Sequence, residues 1–188
     1  MRIAMFGGSF DPVHVGHLFV AEEARINLHY DRILFIPAFQ PPHKSGPPAA
    51  PPQDRVRMLR LAVDDRTEFE VDTYELDQRG VSYTIETVRH LYETYPIEGR
   101  LGLIIGDDLL EGFHTWKESQ TLEQLVEVIV ATRQEDFEAT HRYAAIDNSP
   151  LPVSSSDIRA RVGADKAYRY LVPESVYGHI REHELYRG

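Results

Sequence analysis

Two histidines, His14 and His17, lie three residues apart at the end of a glycine-bearing run, Gly7-Gly8-Ser9-Phe10-Asp11-Pro12-Val13-His14-Val15-Gly16-His17. Each imidazole can donate a hydrogen bond and carry charge near neutral pH, so the pair suits an anion they could both meet. A second set comes late in the chain, Ser154-Ser155-Ser156-Asp157-Ile158-Arg159. Hydroxyls and N–H groups at a helix start, with a guanidinium one turn in, describe a phosphate clamp. Taken alone, the late set reads equally well as a serine cap with a surface arginine. Together, an early clamp and a late one can hold both ends of a triphosphate.

Residues 3–6 are an apolar run that reads as a short buried strand, and residues 18–28 carry apolar positions at helical spacing. The early motif is therefore the turn between a strand and a helix. Glycines at 7, 8 and 16 are expected to allow positive φ and close approach of a ligand to the backbone. Anions settle at the N–H groups that open the next helix. Residues 32–37 form a second apolar strand, stopped by Pro37, and the strand, helix, strand unit implies a parallel pair. From Pro37 to Pro52 the chain holds seven prolines with the basic pair His43-Lys44, a binding loop or an inert excursion.

Residues 54–64 read as an amphipathic helix with its arginines on the wet side, and residues 69–76 as a strand with one exposed face. Ser82 is the expected N-cap of a helix over residues 85–95. Residues 100–106 form a doubly buried strand ending in Gly106-Asp107-Asp108, and residues 125–131 form a further strand. A short exposed helix is expected over residues 135–144 and a last helix over 174–183. The alternation predicts an α/β, Rossmann-like, doubly wound parallel sheet of about five or six strands flanked by helices. Residues 1–188 are expected to form one domain, with 150–188 as a C-terminal helical annex. In such sheets ligands bind beyond the strand C-termini, which places Gly106 and Asp108 beside a nucleotide.

The formal charge of −10 argues against a nonspecific nucleic-acid binder, which would present a basic face. A small polyanion can still bind where cations gather in one cleft. Cysteine is absent, so no disulfide framework or thiolate nucleophile exists. No apolar stretch is long enough to span a bilayer and no signal-peptide layout is visible, so a cytoplasmic protein without membrane contact is expected. A homo-oligomer is compatible with this sequence.

The early run resembles the nucleotidyltransferase superfamily, which carries His-x-Gly-His or Thr-x-Gly-His after its first strand. Within it, GGSFDPVHVGH is similar to the nicotinate-nucleotide adenylyltransferase family, with Ser9 where threonine is common. The resemblance runs the length of the chain. It implies that Gly7, Gly8, Ser9, Phe10, His14, His17, Gly106, Asp108, Arg133, Ser154, Ser155, Ser156, Ile158 and Arg159 contact ATP. His43 and Lys44 would lie near the phosphates, Ser82-Tyr83-Thr84 would hold the pyridine ring, and Trp116 would stack on it. Two departures stand out: Ser156 replaces a threonine but keeps the hydroxyl, and Arg133-Gln134-Glu135 replaces Arg-Pro-Gly, which weakens the Arg133 assignment.

The implied reaction transfers AMP from ATP to nicotinate mononucleotide, releasing pyrophosphate, with His14, His17 and Arg159 as the catalytic groups and magnesium held mainly by the phosphates. N–H groups at a helix start favour the nicotinate carboxylate over a carboxamide. Two rival readings are an adenylyltransferase for nicotinamide mononucleotide or phosphopantetheine, and a noncatalytic nucleotide-binding module that kept the fold alone.

Overall fold

The computed structural model describes residues 1–41, 46, 48–132, 143–146 and 151–187. Six parallel strands, β1 (Ile3–Gly8), β2 (Arg32–Pro37), β3 (Phe69–Val71), β4 (Leu101–Gly106), β5 (Val126–Ala131) and β6 (Ala144–Ile146), pair in the order β3-β2-β1-β4-β5-β6. Between them run α1 (Val15–Asn27), α2 (Pro52–Val63), α3 (Tyr74–Gln78), α4 (Thr84–Thr94), α5 (Asp107–Leu110) and α6 (Ser119–Leu125), followed by α7 (Ser155–Gly163) and α8 (Glu174–Glu182).

Alternate residues of the central strands supply two separate cores. Ala4, Phe6, Ile33, Phe35, Ile104 and Ile129 face one side, where Ala21, Met58, Ile158 and Val176 cover them from α1, α2, α7 and α8. Ile3, Met5, Leu34, Ile36, Leu103 and Val128 face the other, under Ile85, Val88, Leu91 and Leu122 of α4 and α6. This double burial explains the continuous apolar runs of β1, β2, β4 and β5. The strand order reverses between β1 and β4, and the crevice at their C-terminal ends is the switch point where open α/β sheets bind ligands.

Three sequence expectations change. The strand predicted over 69–76 stops at Val71, because the Asp72 carboxylate accepts the Tyr74 N–H at 2.9 Å and turns the chain into α3. Arg55 is not on the wet side of α2 but fully buried, sharing the inner stripe with Met58 and Leu59. The short helix expected over 135–144 lies mostly outside the described residues, and Ala144 begins β6.

Candidate active site

A cleft of about 710 Å³ opens at the switch point, lined by the ends of β1 and β4 and by the first turns of α1, α4 and α7. His14, His17, Ser154, Ser155, Ser156 and Arg159 all line it, so residues that are most of a chain length apart share one cavity. Their junction is direct: Arg159 Nη1 donates to the Asp11 carbonyl at 2.7 Å, and the Ser155 hydroxyl donates to the Pro12 carbonyl at 2.9 Å. Gly16 permits this approach. A Cβ there would come within 2.8 Å of Val153 Cγ1, so a side chain at 16 would push the late clamp away from the early one.

The imidazoles stack with ring centroids 3.6 Å apart, His14 buried and His17 half-buried. His17 Nδ1 accepts the His14 backbone N–H at 3.2 Å. In the neutral ring this leaves the proton on Nε2, so His17 keeps a donor at its far nitrogen. Phe10 packs edge-on against His17 at 5.0 Å and is itself buried among Phe6 and Phe35. Phe10 thus supports the imidazole from beneath, while its own backbone takes φ 45°. The positive φ expected at Gly7, Gly8 and Gly16 falls instead on this phenylalanine, a conformation that is costly outside glycine and that clusters at functional turns. At Gly7 an added Cβ would meet no protein atom within 4 Å, in keeping with a backbone left open to a ligand.

The three serines have separate jobs. Ser154 caps α7 by accepting the Asp157 N–H at 3.1 Å, Ser155 ties the helix to Pro12, and Ser156 accepts from Arg159 Nη2 at 3.2 Å. Ile158 is fully buried in the core and does not line the cleft, because the helical turn that aims Arg159 outward aims its neighbour inward. Ser9, Gly106 and Asp108 line the cleft beside β1 and β4. His43, Lys44 and Arg133 lie outside the described residues.

At the other end of the cleft stand Ser82, Tyr83, Thr84 and Trp116. Ser82 does not cap α4. The N-cap is Tyr83, without a side-chain cap, and the Ser82 hydroxyl instead accepts the Phe39 N–H at 3.0 Å, binding the chain just after β2 to α4's approach. Trp116 is half-buried and packs on Phe113 at 5.0 Å. Lys117 places its ammonium 4.4 Å from the Tyr83 ring centroid and pairs with Glu86.

Three buried polar residues of this region carry no chemistry predicted from the motifs: Asp11, Arg55 and Glu75. Asp11 is 3% exposed and accepts from the Ala49 and Ala50 N–H groups and from the Tyr186 hydroxyl. Arg55, 0% exposed, donates to the Ser9 and Ala38 carbonyls at 2.7 and 2.8 Å, bracing the turn from below. Burial lowers its pKa, an effect that the Asp11 carboxylate opposes. Glu75 lines the cleft, 8% exposed, and accepts the Thr87 hydroxyl at 2.7 Å. Burial raises its carboxyl pKa above the ordinary range, a nearby Asp72 adds to this, and hydrogen bonds from Thr87 and Ser82 oppose it. For Arg55 the signal was present, since it sits three and four residues before Met58 and Leu59 on one helix face.

A cytidylyltransferase-like family model matches residues 5–161. A protein of Treponema pallidum carrying the name probable nicotinate-nucleotide adenylyltransferase is 36% identical over 204 residues, covering all of both chains. The chain belongs to the nicotinate-nucleotide adenylyltransferase family. A second relative of that name, from Desulfitobacterium hafniense, is 39% identical over 199 residues, with 99% of this chain and 96% of the relative covered. Among solved structures, the Plasmodium falciparum nicotinic acid mononucleotide adenylyltransferase complexed with NaAD superposes with a TM-score of 0.76. It is 18% identical and covers 98% of this chain and 97% of its own, which supports the fold. The described residues contain no helix long and apolar enough to cross a membrane.

Proposed function

We propose that the protein transfers AMP from ATP to the 5′-phosphate of nicotinate mononucleotide, giving deamido-NAD and pyrophosphate. The observation that carries this reading is the single cleft at the β1/β4 switch point lined by both His17 and Arg159. A phosphomonoester has a second pKa of about 6, so the attacking oxygen is already ionised and no general base is required. That oxygen bonds to the α-phosphorus as the bond to the bridging oxygen breaks, and the electron pair leaves with pyrophosphate. Catalysis then consists of alignment and of stabilising charge spread over the phosphates.

His17, donating from Nε2, and His14 serve the α-phosphate and the bridging oxygen. Arg159 and the serines of α7 serve the β- and γ-phosphates. Magnesium would travel with the triphosphate and neutralise charge on the leaving pyrophosphate. The described residues bring no three carboxylate or imidazole groups together, and Asp108 would offer one hard oxygen donor to an ion that keeps its waters and its phosphate ligands. The acceptor's ring fits the Trp116 end, and its carboxylate is favoured at the start of α4, where no side chain caps the leading N–H groups.

The test is coupled detection of pyrophosphate with ATP, magnesium and a panel of nicotinate mononucleotide, nicotinamide mononucleotide and phosphopantetheine. Fastest turnover on nicotinate mononucleotide is expected. Equal rates on the two pyridine nucleotides would defeat the carboxylate argument, and no release with any acceptor would leave a binding module.

A further inference from the structure

Tyr186, four residues past the end of α8, does not line the cleft, yet its hydroxyl donates to Asp11 Oδ1 at 2.9 Å across 175 residues of sequence. Asp11 is the buried junction of four segments. Oδ1 also accepts the Ala50 N–H at 3.0 Å, Oδ2 accepts the Ala49 N–H at 2.7 Å, and Arg159 Nη1 stands 3.8 Å from Oδ2 while bonding the Asp11 carbonyl. Arg159 is thus held through one of its two terminal nitrogens by the same residue that Tyr186 holds. With three fixed donors on its buried carboxylate, Asp11 has little freedom to turn, so both the main-chain carbonyl that accepts from Arg159 and the carboxylate charge 3.8 Å from its guanidinium stay in place. Burial, and next the Asp11 charge, push the Tyr186 pKa up, so the hydroxyl keeps its proton and remains a donor.

We infer that Tyr186 is a positioning residue for ATP: acting through Asp11, the C-terminal segment fixes the Arg159 guanidinium where the triphosphate tail arrives. This inference rests on the reading that Arg159 binds ATP. A merely structural role for Tyr186 would be to fasten the C-terminal segment, and other contacts already do so. His179 Nε2 meets Asp54 at 3.0 Å, the Ser175 hydroxyl donates to the Leu61 carbonyl at 2.9 Å, and Val176 and Ile180 are buried in the core. Ser175 therefore offers a control on the same segment that does not touch Asp11.

The experiment is a double-mutant cycle on the full chain with Tyr186→Phe, Arg159→Ala and the double variant, reading the KM for ATP and for the mononucleotide separately. Tyr186→Phe is expected to raise the KM for ATP about threefold to tenfold and to leave the mononucleotide KM in place, and the effect should vanish in the Arg159→Ala background. Ser175→Ala is expected to change neither constant. If Tyr186→Phe raises the ATP KM equally with and without Arg159, or raises both KM values together, the inference is overturned and the assignment of Arg159 stands. If Arg159→Ala itself leaves the ATP KM unchanged, both fall. Should Tyr186→Phe fail to fold, Asp11→Asn removes the charge beside Arg159 and sets an NH2 against one of the donors that Asp11 now accepts, and the same rise confined to ATP is expected. An unchanged ATP KM in that variant would overturn the inference.

Discussion

The two ends of the cleft differ in how many buried polar groups brace them. At the phosphate end, buried polar groups interlock. Asp11 and Arg55 are almost wholly out of solvent, and they pin the turn after β1 to Ala38, to Ala49 and Ala50, to Arg159 and to Tyr186. At the acceptor end, Ser82, Tyr83, Thr84 and Trp116 are half-buried, the ion pair of Lys117 with Glu86 stands at the surface, and one buried carboxyl, Glu75, lies among them bonded to Thr87. Donors that must meet charge developing in a transition state gain from being fixed beforehand. A ring recognised chiefly by stacking and by a helix start tolerates a looser frame. The contrast predicts that damage at the first end falls on kcat and ATP, and damage at the second on the mononucleotide.

The largest effect is expected from His17→Ala, a loss on the order of 10² to 10³ in kcat with the fold intact by circular dichroism. Turnover near the parent's would remove His17 from the mechanism. Next comes Gly16→Ala, at a cleft-lining position where the added Cβ would meet Val153 Cγ1 at 2.8 Å and His14 Nδ1 at 3.1 Å. By wedging α1 against Val153 it should separate the clamps and lower kcat about 10²-fold, since misplacement of about 1 Å can cost that much. A normal kcat would show that Val153 yields and that the close approach is not required. Trp116→Ala is expected to raise the mononucleotide KM about threefold to tenfold with the ATP KM unchanged, measured by varying each substrate at saturation of the other. A shift in the ATP constant alone would reverse the assignment of the two ends.

Glu75 gives a pH test of the acceptor end. Its folded-state pKa is raised above the ordinary 4.5, so the folded protein holds a proton that the unfolded chain has lost as pH climbs through that value. The folded state binds more protons in this window, and stability must fall as pH rises through it. Melting curves of Glu75→Gln should lack that decline, so the variant gains on the parent as pH rises from about 4.5. Parallel curves would mean that Glu75 titrates alike in the folded and unfolded chain, against the upward shift that burial gives it. The smallest change is expected from Glu86→Gln, whose solvent-screened pair with Lys117 should leave the denaturant midpoint essentially where the parent's lies.

Much of this was legible in the residues. The uninterrupted apolar runs of β1, β2, β4 and β5 announced strands buried on both faces, and the two clamps stood out because hydroxyl, imidazole and guanidinium groups sat at helix starts. Asp11 was visible only as a motif letter, because its partners at 49, 50, 159 and 186 are set by the folded chain and by no local pattern. The same holds for Glu75, whose place in an alternating run matched an exposed strand face until Asp72 turned the chain. Ser82 misled in a different way: its type suits a helix cap, but the Phe39 N–H, 43 residues earlier, competes for the same oxygen and wins.

Calorimetric titration of His17→Ala and Arg159→Ala, each with ATP and separately with nicotinate mononucleotide, bears most directly on whether both clamps serve one nucleotide. Both variants are predicted to lose affinity for ATP while binding the mononucleotide as the parent does. A variant that keeps full ATP affinity and loses only the mononucleotide would contradict the shared triphosphate site.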